Sequence, residues 1–409
     1  MINARAYWWS AVIILIGCAG RSQAEELIVL GERSVFSGPS AGLGVEVWRG
    51  EFAAFSAAND AAATEGRRIK LVLVDDKYEP DSAIFAAKEL IDKRKIFALF
   101  GGVGTPTIVR VLPLLLEQHQ QEGLFQFSNF TGAQAQREPP YEKYVFNVRA
   151  SYRQEIAAMV KGFVAMGRKK IGLFLQDDAY GLSGKDGAVR TLQERGLTVI
   201  AETRYPRGQG FSKSNQEQVA VLKNAGVDAI IAVGAYAACA GMIRDVRMSK
   251  WDVPIHNVSF VGADQLLDLL HEFEKTSGQN VTSNLITTQV VPSYLDLNVP
   301  FVGEYRAAMD RYHPTVPADV GDHSYSPARS YSFGSLEGYL NARVFLEILK
   351  RAGKNATRSS FYQAAEHMGR FDLGLGVPLE FSKKRHQALD EVWMTHATAT
   401  GWSPQMVAF

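Results

Sequence analysis

The chain has 409 residues, 46% of them hydrophobic, and a formal charge of +1. That supplies ample apolar material for a core, and the length calls for more than one domain. A near-neutral balance gives no support for nucleic-acid binding, which calls for a basic patch or stripe, so no nucleic-acid partner is expected.

Residues 1–24 read as a secretory signal rather than as part of the fold. Residues 1–5 carry one positive side chain, 6–16 are largely apolar, and Ser22, Gln23 and Ala24 put small residues where a signal peptidase cuts. A second exit competes: Leu15, Ile16, Gly17 and Cys18 resemble a bacterial lipobox, in which Cys18 would be lipidated. Both readings export the protein, to the periplasm, and no later segment is long and apolar enough to span a bilayer. The only other cysteine, Cys239, lies between Ala238 and Ala240 and reads as a buried small hydrophobe.

Strands and helices then alternate. Residues 27–30 read as a strand, followed by a turn-rich stretch from Ser34 to Gly44 and an alanine-rich helix to about Ala58. Next come strand 69–74 ending on Asp75 and Asp76, helix 81–93, strand 97–100 and an apolar-rich helix 108–116. Strands 124–127 and 144–148 follow. The pattern restarts with helix 154–166, strand 171–175, helix 184–195, strand 198–204, helix 215–225, strand 229–233 and a helix at about 237–248. Strand 258–261 ends at Gly262, Ala263 and Asp264. Strand 285–291, helices 301–312, 334–351 and 358–368, and closing strands 376–381 and 391–395 complete the reading. Such alternation implies right-handed βαβ crossovers and parallel sheets covered by helices on both faces. The number of units exceeds one comfortable sheet, so two doubly wound lobes are expected.

In such sheets ligands sit beyond the carboxyl ends of the strands. The turn after residues 97–100 stands out there: Gly101, Gly102 and Gly104, then Thr105 and Pro106 at a helix start. Glycines let backbone N–H groups approach a ligand, and the unpaired donors of a helix N-terminus favour a carboxylate. The other strand-end loops carry Ser37, Asp76, Thr131, Tyr180, Tyr236 and Asp264, a kit of hydroxyls, aromatics and acids suited to a small-molecule cleft.

These residues carry a resemblance. Phe36 to Ala41, Phe100 to Thr105, Asp177 to Gly181, Gly234 to Tyr236, Phe260 to Asp264 and Ser335 to Tyr339 follow in order. Together they make the chain similar to the type I periplasmic binding proteins, leucine/isoleucine/valine-binding branch of ABC-transporter receptors. The resemblance implies an α/β fold of two doubly wound parallel-sheet lobes joined by a three-strand hinge. Lobe 1 would span 25–148 plus 292–376, and lobe 2 would span 149–291 plus 377–409. It implies that Thr105, with the N–H groups near Gly104, holds a ligand carboxylate. Tyr180 and Tyr236 would close over the ligand, and Asp264 would pair with an α-ammonium. Leu43 stands where such receptors often carry an aromatic residue. After Ser128 the chain has Asn129, Phe130, Thr131 and Gly132, which offers Thr131 for the hydroxyl role and Phe130 as a bulky wall. Extra length is expected between Asn298 and Tyr331.

Each residue also has a plainer reading. Thr105 is placed to be a helix N-cap, Asp264 a cap or a salt-bridged acid, the tyrosines and Phe130 and Leu43 ordinary packing, and Ser128 a turn former. Sharper chemistries fail. The glycine pair lacks the dinucleotide spacing and a P-loop lysine, the eight histidines are scattered, and no nucleophile elbow occurs. The expectation is an exported, non-enzymatic receptor without cofactor or metal, handing a small carboxylate-bearing ligand, an amino acid or related compound, to an ABC-transporter permease. Its alternatives are a receptor of the same fold feeding a signalling partner and a secreted α/β hydrolase. Basic runs such as Lys383, Lys384 and Arg385 read as solvated faces.

Overall fold

A computed structural model describes residues 26–61 and 67–404; the signal segment and Cys18 lie outside the described residues. The first sheet contains β1 (Glu26–Ser34), β2 (Arg67–Asp75), β3 (Ala98–Phe100), β4 (Gln126–Phe127) and β5 (Val145–Phe146). Its order is β2-β1-β3-β4-β5 and every pair is parallel. The second sheet begins with β6 (Ile171–Gln176), β7 (Ala201–Tyr205), β8 (Ala229–Val233), β9 (Ile255–Asn257) and β10 (Leu285–Gln289). The pair β11 (Gly369–Phe371) and β12 (Leu379–Phe381) stands apart as an antiparallel ribbon. Strands β13 (Trp393–Thr398) and β14 (Gly401–Pro404) return to the second sheet, whose order is β14-β13-β10-β9-β8-β6-β7. Only the pairings β10–β13 and β13–β14 are antiparallel there.

Helices connect these strands. On the first sheet they are α1 (Ala41–Asp60), α2 (Pro80–Lys88) and α3 (Thr105–Glu122). The second sheet carries α4 (Tyr152–Ala165), α5 (Ala179–Gln193), α6 (Gln216–Asn224), α7 (Tyr236–Met248) and α8 (Ala263–Ser277). Helices α9 (Pro300–Tyr312), α10 (Phe333–Arg351) and α11 (Arg358–Glu366) follow. Strands β6 and β8 are buried at every residue, as two helix-covered faces require.

Two helices of the first lobe lock together through a close approach. A Cβ at Gly338 of α10 would run into the Val47 carbonyl of α1, so only glycine permits that spacing. Phe345 of α10 also meets Phe55, Phe100 and Phe127 edge to face at 5.3–6.2 Å. These contacts tie α10, late in sequence, to the first sheet.

The chain crosses between lobes after β5, after β10 and after β12. The first and last of these pair like short strands. Asn147 N–H donates to the His386 carbonyl at 2.7 Å, and Ala388 and Leu389 N–H donate to Asn147 and Val148 at 2.8 and 2.9 Å.

Two strand expectations need correction. Residues 258–261 are not a strand: Ser259–Val261 form a 3-10 turn closed by Gly262 at φ 76°, and the strand lies upstream as β9. The reason is pairing, since residues 255–257 find partners in both β8 and β10. The expected strand at 376–381 shortens to β12 and joins neither main sheet, pairing instead with the unanticipated β11. The extra length after Asn298 becomes α9 and the segment 313–332, which docks on α1. Val316, Val320 and Tyr325 pack there against Phe36, Val45 and Trp48.

Candidate functional site

The glycine turn sits where the pattern places it. Gly101, Gly102 and Gly104 take φ values of 57°, 82° and 115°, a region open to glycine and closed to most side chains. A Cβ at Gly104 would also strike the ring of Tyr78. Gly104 itself is the N-cap of α3, so the N-cap reading of Thr105 does not hold. Thr105 is the first residue of the helix and is 1% exposed. Its Oγ1 lies 2.6 Å from Thr131 Oγ1, which lies 3.2 Å from the Tyr152 hydroxyl at the start of α4. The loop after β4 is held to the glycine turn by Phe130 N–H, which donates to the Gly102 carbonyl at 2.8 Å. Ser128 supports that loop with a left-handed φ of 52° and an N–H bond to Phe146.

The second lobe answers with rings. Tyr180 stands in the first turn of α5, whose N-cap Asp178 accepts from the Tyr180 N–H at 2.9 Å. Its hydroxyl reaches the Gly234 carbonyl at 3.4 Å. Phe260, in the 3-10 turn, packs 4.5 Å from Tyr180 and 5.4 Å from Phe130 between ring centroids. Tyr152 lies 5.3 Å from Tyr180. Thr105, Thr131, Phe130 and Tyr180 are thus packed together through Tyr152 and Phe260 in a closed crevice, each at most 3% exposed.

Leu43 and Tyr236 form a second group. The Tyr236 hydroxyl accepts from the Gly42 N–H of α1 at 3.3 Å, bridging the lobes, and burial pushes its pKa up to about 12. Gly262 is tight against both Leu43 and Tyr236. Asp264 follows in the first turn of α8, but its carboxylate accepts from Tyr294 Oη at 2.8 Å and from Phe333 N–H at 2.9 Å. It therefore engages the N-terminus of α10, where a helix leaves donors unpaired. Burial raises its pKa to about 6 against the pull of those two bonds.

Several crevice residues were not singled out from the sequence. Gln176, at the end of β6, donates from Nε2 to the Tyr78 hydroxyl across the lobes at 3.1 Å. Its Oε1 accepts from Tyr205 at 3.0 Å. Tyr205 ends β7, so the strand-end rule applied there would have found it. Tyr152 follows a Ser151–Gln154 capping box, a legible helix start. Phe260 carried no such signal.

Two buried guanidinium groups flank this region. Arg33 reaches Asp76 Oδ2 and Asn129 Oδ1, both at 3.4 Å; burial lowers its pKa and raises that of Asp76 to about 6. Arg149, in the first crossover, pairs with Glu155 at 3.2 Å and Glu337 at 3.3 Å, bonds Ser259, and lies 4.8 Å over the Phe130 ring. Burial opposes its charge, yet Glu337 and Glu155 hold its pKa above the ordinary value. Glu155 and Ser259 belong to the second lobe, whereas Glu337 lies on α10, so Arg149 spans both.

The chemistry on offer is recognition: hydroxyls and first-turn N–H groups for an oxyanion, and aromatic walls for an apolar body. Cys239 is buried, and burial pushes its thiol pKa up, which makes it inert. Among the described residues, no group of His, Cys, Asp and Glu is placed to hold a metal ion, and no helix is long and apolar enough to cross a membrane. A cavity of about 630 Å³ opens beside residues 313–330, away from the crevice, and none of the candidate residues lines it.

The comparisons with known proteins agree with this fold. A "possible leucine/isoleucine/valine-binding protein" from Rhodopirellula baltica SH 1 is 33% identical, with a TM-score of 0.82 over 93% of this chain and 97% of its own. A branched-chain amino acid ABC transporter structure from Thermus thermophilus, with bound valine, has a TM-score of 0.79 at 17% identity, over 93% of this chain and 96% of its own. Among curated sequences, an amino acid binding protein of Pseudomonas aeruginosa is 22% identical over 58% of this chain and 61% of its own length. The chain spans about 53–61% of the length of the curated relatives it matches. The sequence profile described as "Periplasmic binding protein" matches residues 30–401. With that match over most of its length, the chain belongs to the periplasmic binding protein family.

Proposed function

We propose that this chain is an exported solute receptor of an ABC importer, which captures a small carboxylate-bearing ligand by closing two lobes on it. Lobe 1 comprises 25–148 plus 292–376, and lobe 2 comprises 149–291 plus 377–409. The observation that carries the reading is the closed junction at which Thr105, Thr131 and Phe130 of the first lobe meet Tyr152, Tyr180 and Phe260 of the second. The hydroxyls and the α3 N-terminus take the ligand carboxylate, while Phe130, Tyr180 and Phe260 wall its body. Leu43, Gly104, Ser128 and Tyr236 shape the surrounding surface, and Asp264 sets the position of α8 against α10 beside any ammonium group. The protein works by binding and closure, not by turnover. A ligand touching both lobes favours the closed arrangement by its differential affinity, and a permease reads that arrangement in the periplasm. The amino-acid proteins among its relatives support an amino acid or related compound as cargo.

The test is a thermal-shift screen of amino acids, dicarboxylates and aromatic acids, followed by calorimetry on the strongest hit. A true ligand raises the melting temperature in step with its concentration and is recovered unchanged. A flat response across all three classes, or chemical conversion of the hit, refutes the proposal.

A further inference from the structure

The basic run near the C-terminus has a structural partner that the crevice does not use. At the hinge, a cavity of about 490 Å³ is lined by Arg137, Lys143, Lys383, Lys384 and Arg385, with Glu142 as its one acid. No hydrogen bond or ion pair engages the ammonium groups of Lys143, Lys383 and Lys384 among the described residues. The cavity wall also holds unsatisfied polar atoms. His386 has a side chain 7% exposed, and its ring lies against Glu366 and the Glu142 backbone. Buried Arg385 Nε, a donor, has no hydrogen-bond partner, and neither do the acceptors Gln134 Oε1 and Glu142 Oε2. A buried donor costs free energy unless something pairs with it, so an unpaired Arg385 Nε beside three unpaired ammonium groups implies an occupant with many acceptors. The neighbouring acids pair with the cavity wall: Asp390 with Arg385 at 2.8 Å, and Glu366 with His386 Nε2 at 3.4 Å, which leaves the three ammonium groups to the occupant.

We propose that this hinge cavity is a second binding site, for a small polyanion of the phosphate or polycarboxylate type. The site is built from both paired crossovers. Arg137, Lys143 and Asn147 lie on the first side, and residues 383–387 lie on the other. The backbone bonds Asn147 to His386, Ala388 to Asn147 and Leu389 to Val148 run between these sides. An anion gripping both stabilises their pairing and stiffens the hinge, which couples its binding to lobe closure. None of the candidate crevice residues lines this cavity, so the inference stands independently of what the crevice binds.

The experiment titrates the full chain, in a zwitterionic buffer, with inorganic phosphate or citrate against sodium chloride at equal ionic strength. The expected result is a saturable rise in melting temperature with one or both anions, about 2–4 °C at 100-fold excess over Kd. A rise with phosphate alone assigns a phosphate-type ligand, and one with citrate alone assigns a polycarboxylate. The K383A/K384A double variant, at exposed positions, should weaken the effect at least tenfold. K169A/K170A, at a distant basic run, and Thr105→Val, in the crevice, should leave it intact. Amide exchange at Asn147, Ala388 and Leu389 should slow when the anion binds. A response equal to chloride, a response surviving in K383A/K384A, a response lost in Thr105→Val, or unchanged exchange at those three amides overturns the proposal.

Discussion

Replacing Thr105 with Val keeps the shape of the side chain and removes one hydroxyl. In the structure that hydroxyl bonds Thr131 Oγ1 at 2.6 Å and also lies within reach of the Tyr152 hydroxyl. Thr131 would still have the Tyr152 hydroxyl at 3.2 Å and the Ala133 N–H at 3.1 Å, so no buried group is orphaned. The cost to stability is then that of one net hydrogen bond, about 1 kcal/mol. In a protein of this size that lowers the melting temperature by roughly 2 °C or less. Ligand affinity should suffer more. A hydroxyl bonded to a carboxylate in a dehydrated crevice contributes about 1.5–3 kcal/mol, or roughly 10- to 150-fold in Kd. Thr105→Ser should recover most of that loss, because it restores the oxygen. Urea unfolding measures the first quantity, and calorimetry with the ligand from the screen measures the second. Unchanged affinity in Thr105→Val would show that the hydroxyl faces only its protein partners. A stability loss above about 3 kcal/mol would show a packing role instead.

Other expectations rest on buried charge. Asp264→Ala leaves the Tyr294 hydroxyl and the Phe333 N–H without their acceptor and should cost about 2 kcal/mol in urea unfolding, whether or not ligand binding changes; an unaltered midpoint would refute its hold on α10. Glu337→Gln removes one of two carboxylates opposite buried Arg149 and should destabilise by about 2 kcal/mol, less than Arg149→Met, which strands Glu155 and Glu337 and should cost about 3–5 kcal/mol; the reverse ranking would count against the pairing. Glu32 and Glu51 are buried together, and burial raises both pKa values, that of Glu32 to about 8 and that of Glu51 well above the usual range with Glu32 adding to the shift. Each therefore retains its proton in the folded chain over a range where the unfolded chain has released it. Their contribution to stability is complete below about pH 4.5 and is lost as pH rises through about 8. Glu51→Gln should flatten that decline between pH 6 and 9 in urea titrations; parallel curves for wild type and variant would refute the paired burial.

The crevice was legible where its geometry is local. Three glycines, Thr105 and Pro106 between an apolar strand and an apolar-rich helix specify a βα turn by themselves, because positive φ and a proline in the first turn are single-residue properties. Tyr180 and Tyr236 were legible as residues just past the ends of buried strands, although the helix that holds Tyr180 starts at Ala179 and not at the expected 184. Phe260 was not, since nothing within its own turn says that four rings from separate elements converge on it. Asp264 shows the limit most clearly. Its position in a first turn was evident, but its partners Tyr294 and Phe333 lie 30 and 69 residues away.

The alternation of buried strands with helices, the glycine turn and the strand-end hydroxyls and rings were determined by the sequence, because period, φ preference and burial are encoded within a few residues. Which sheet received each late strand, and how Arg149, Gln176 and Tyr236 bridge the lobes, only the tertiary structure decided. The physical reason is that these contacts join residues from elements distant in the chain, whose spacing is set by packing rather than by local pattern. The hinge cavity has the same origin, for a run of three basic residues becomes a site only when the first crossover folds against it.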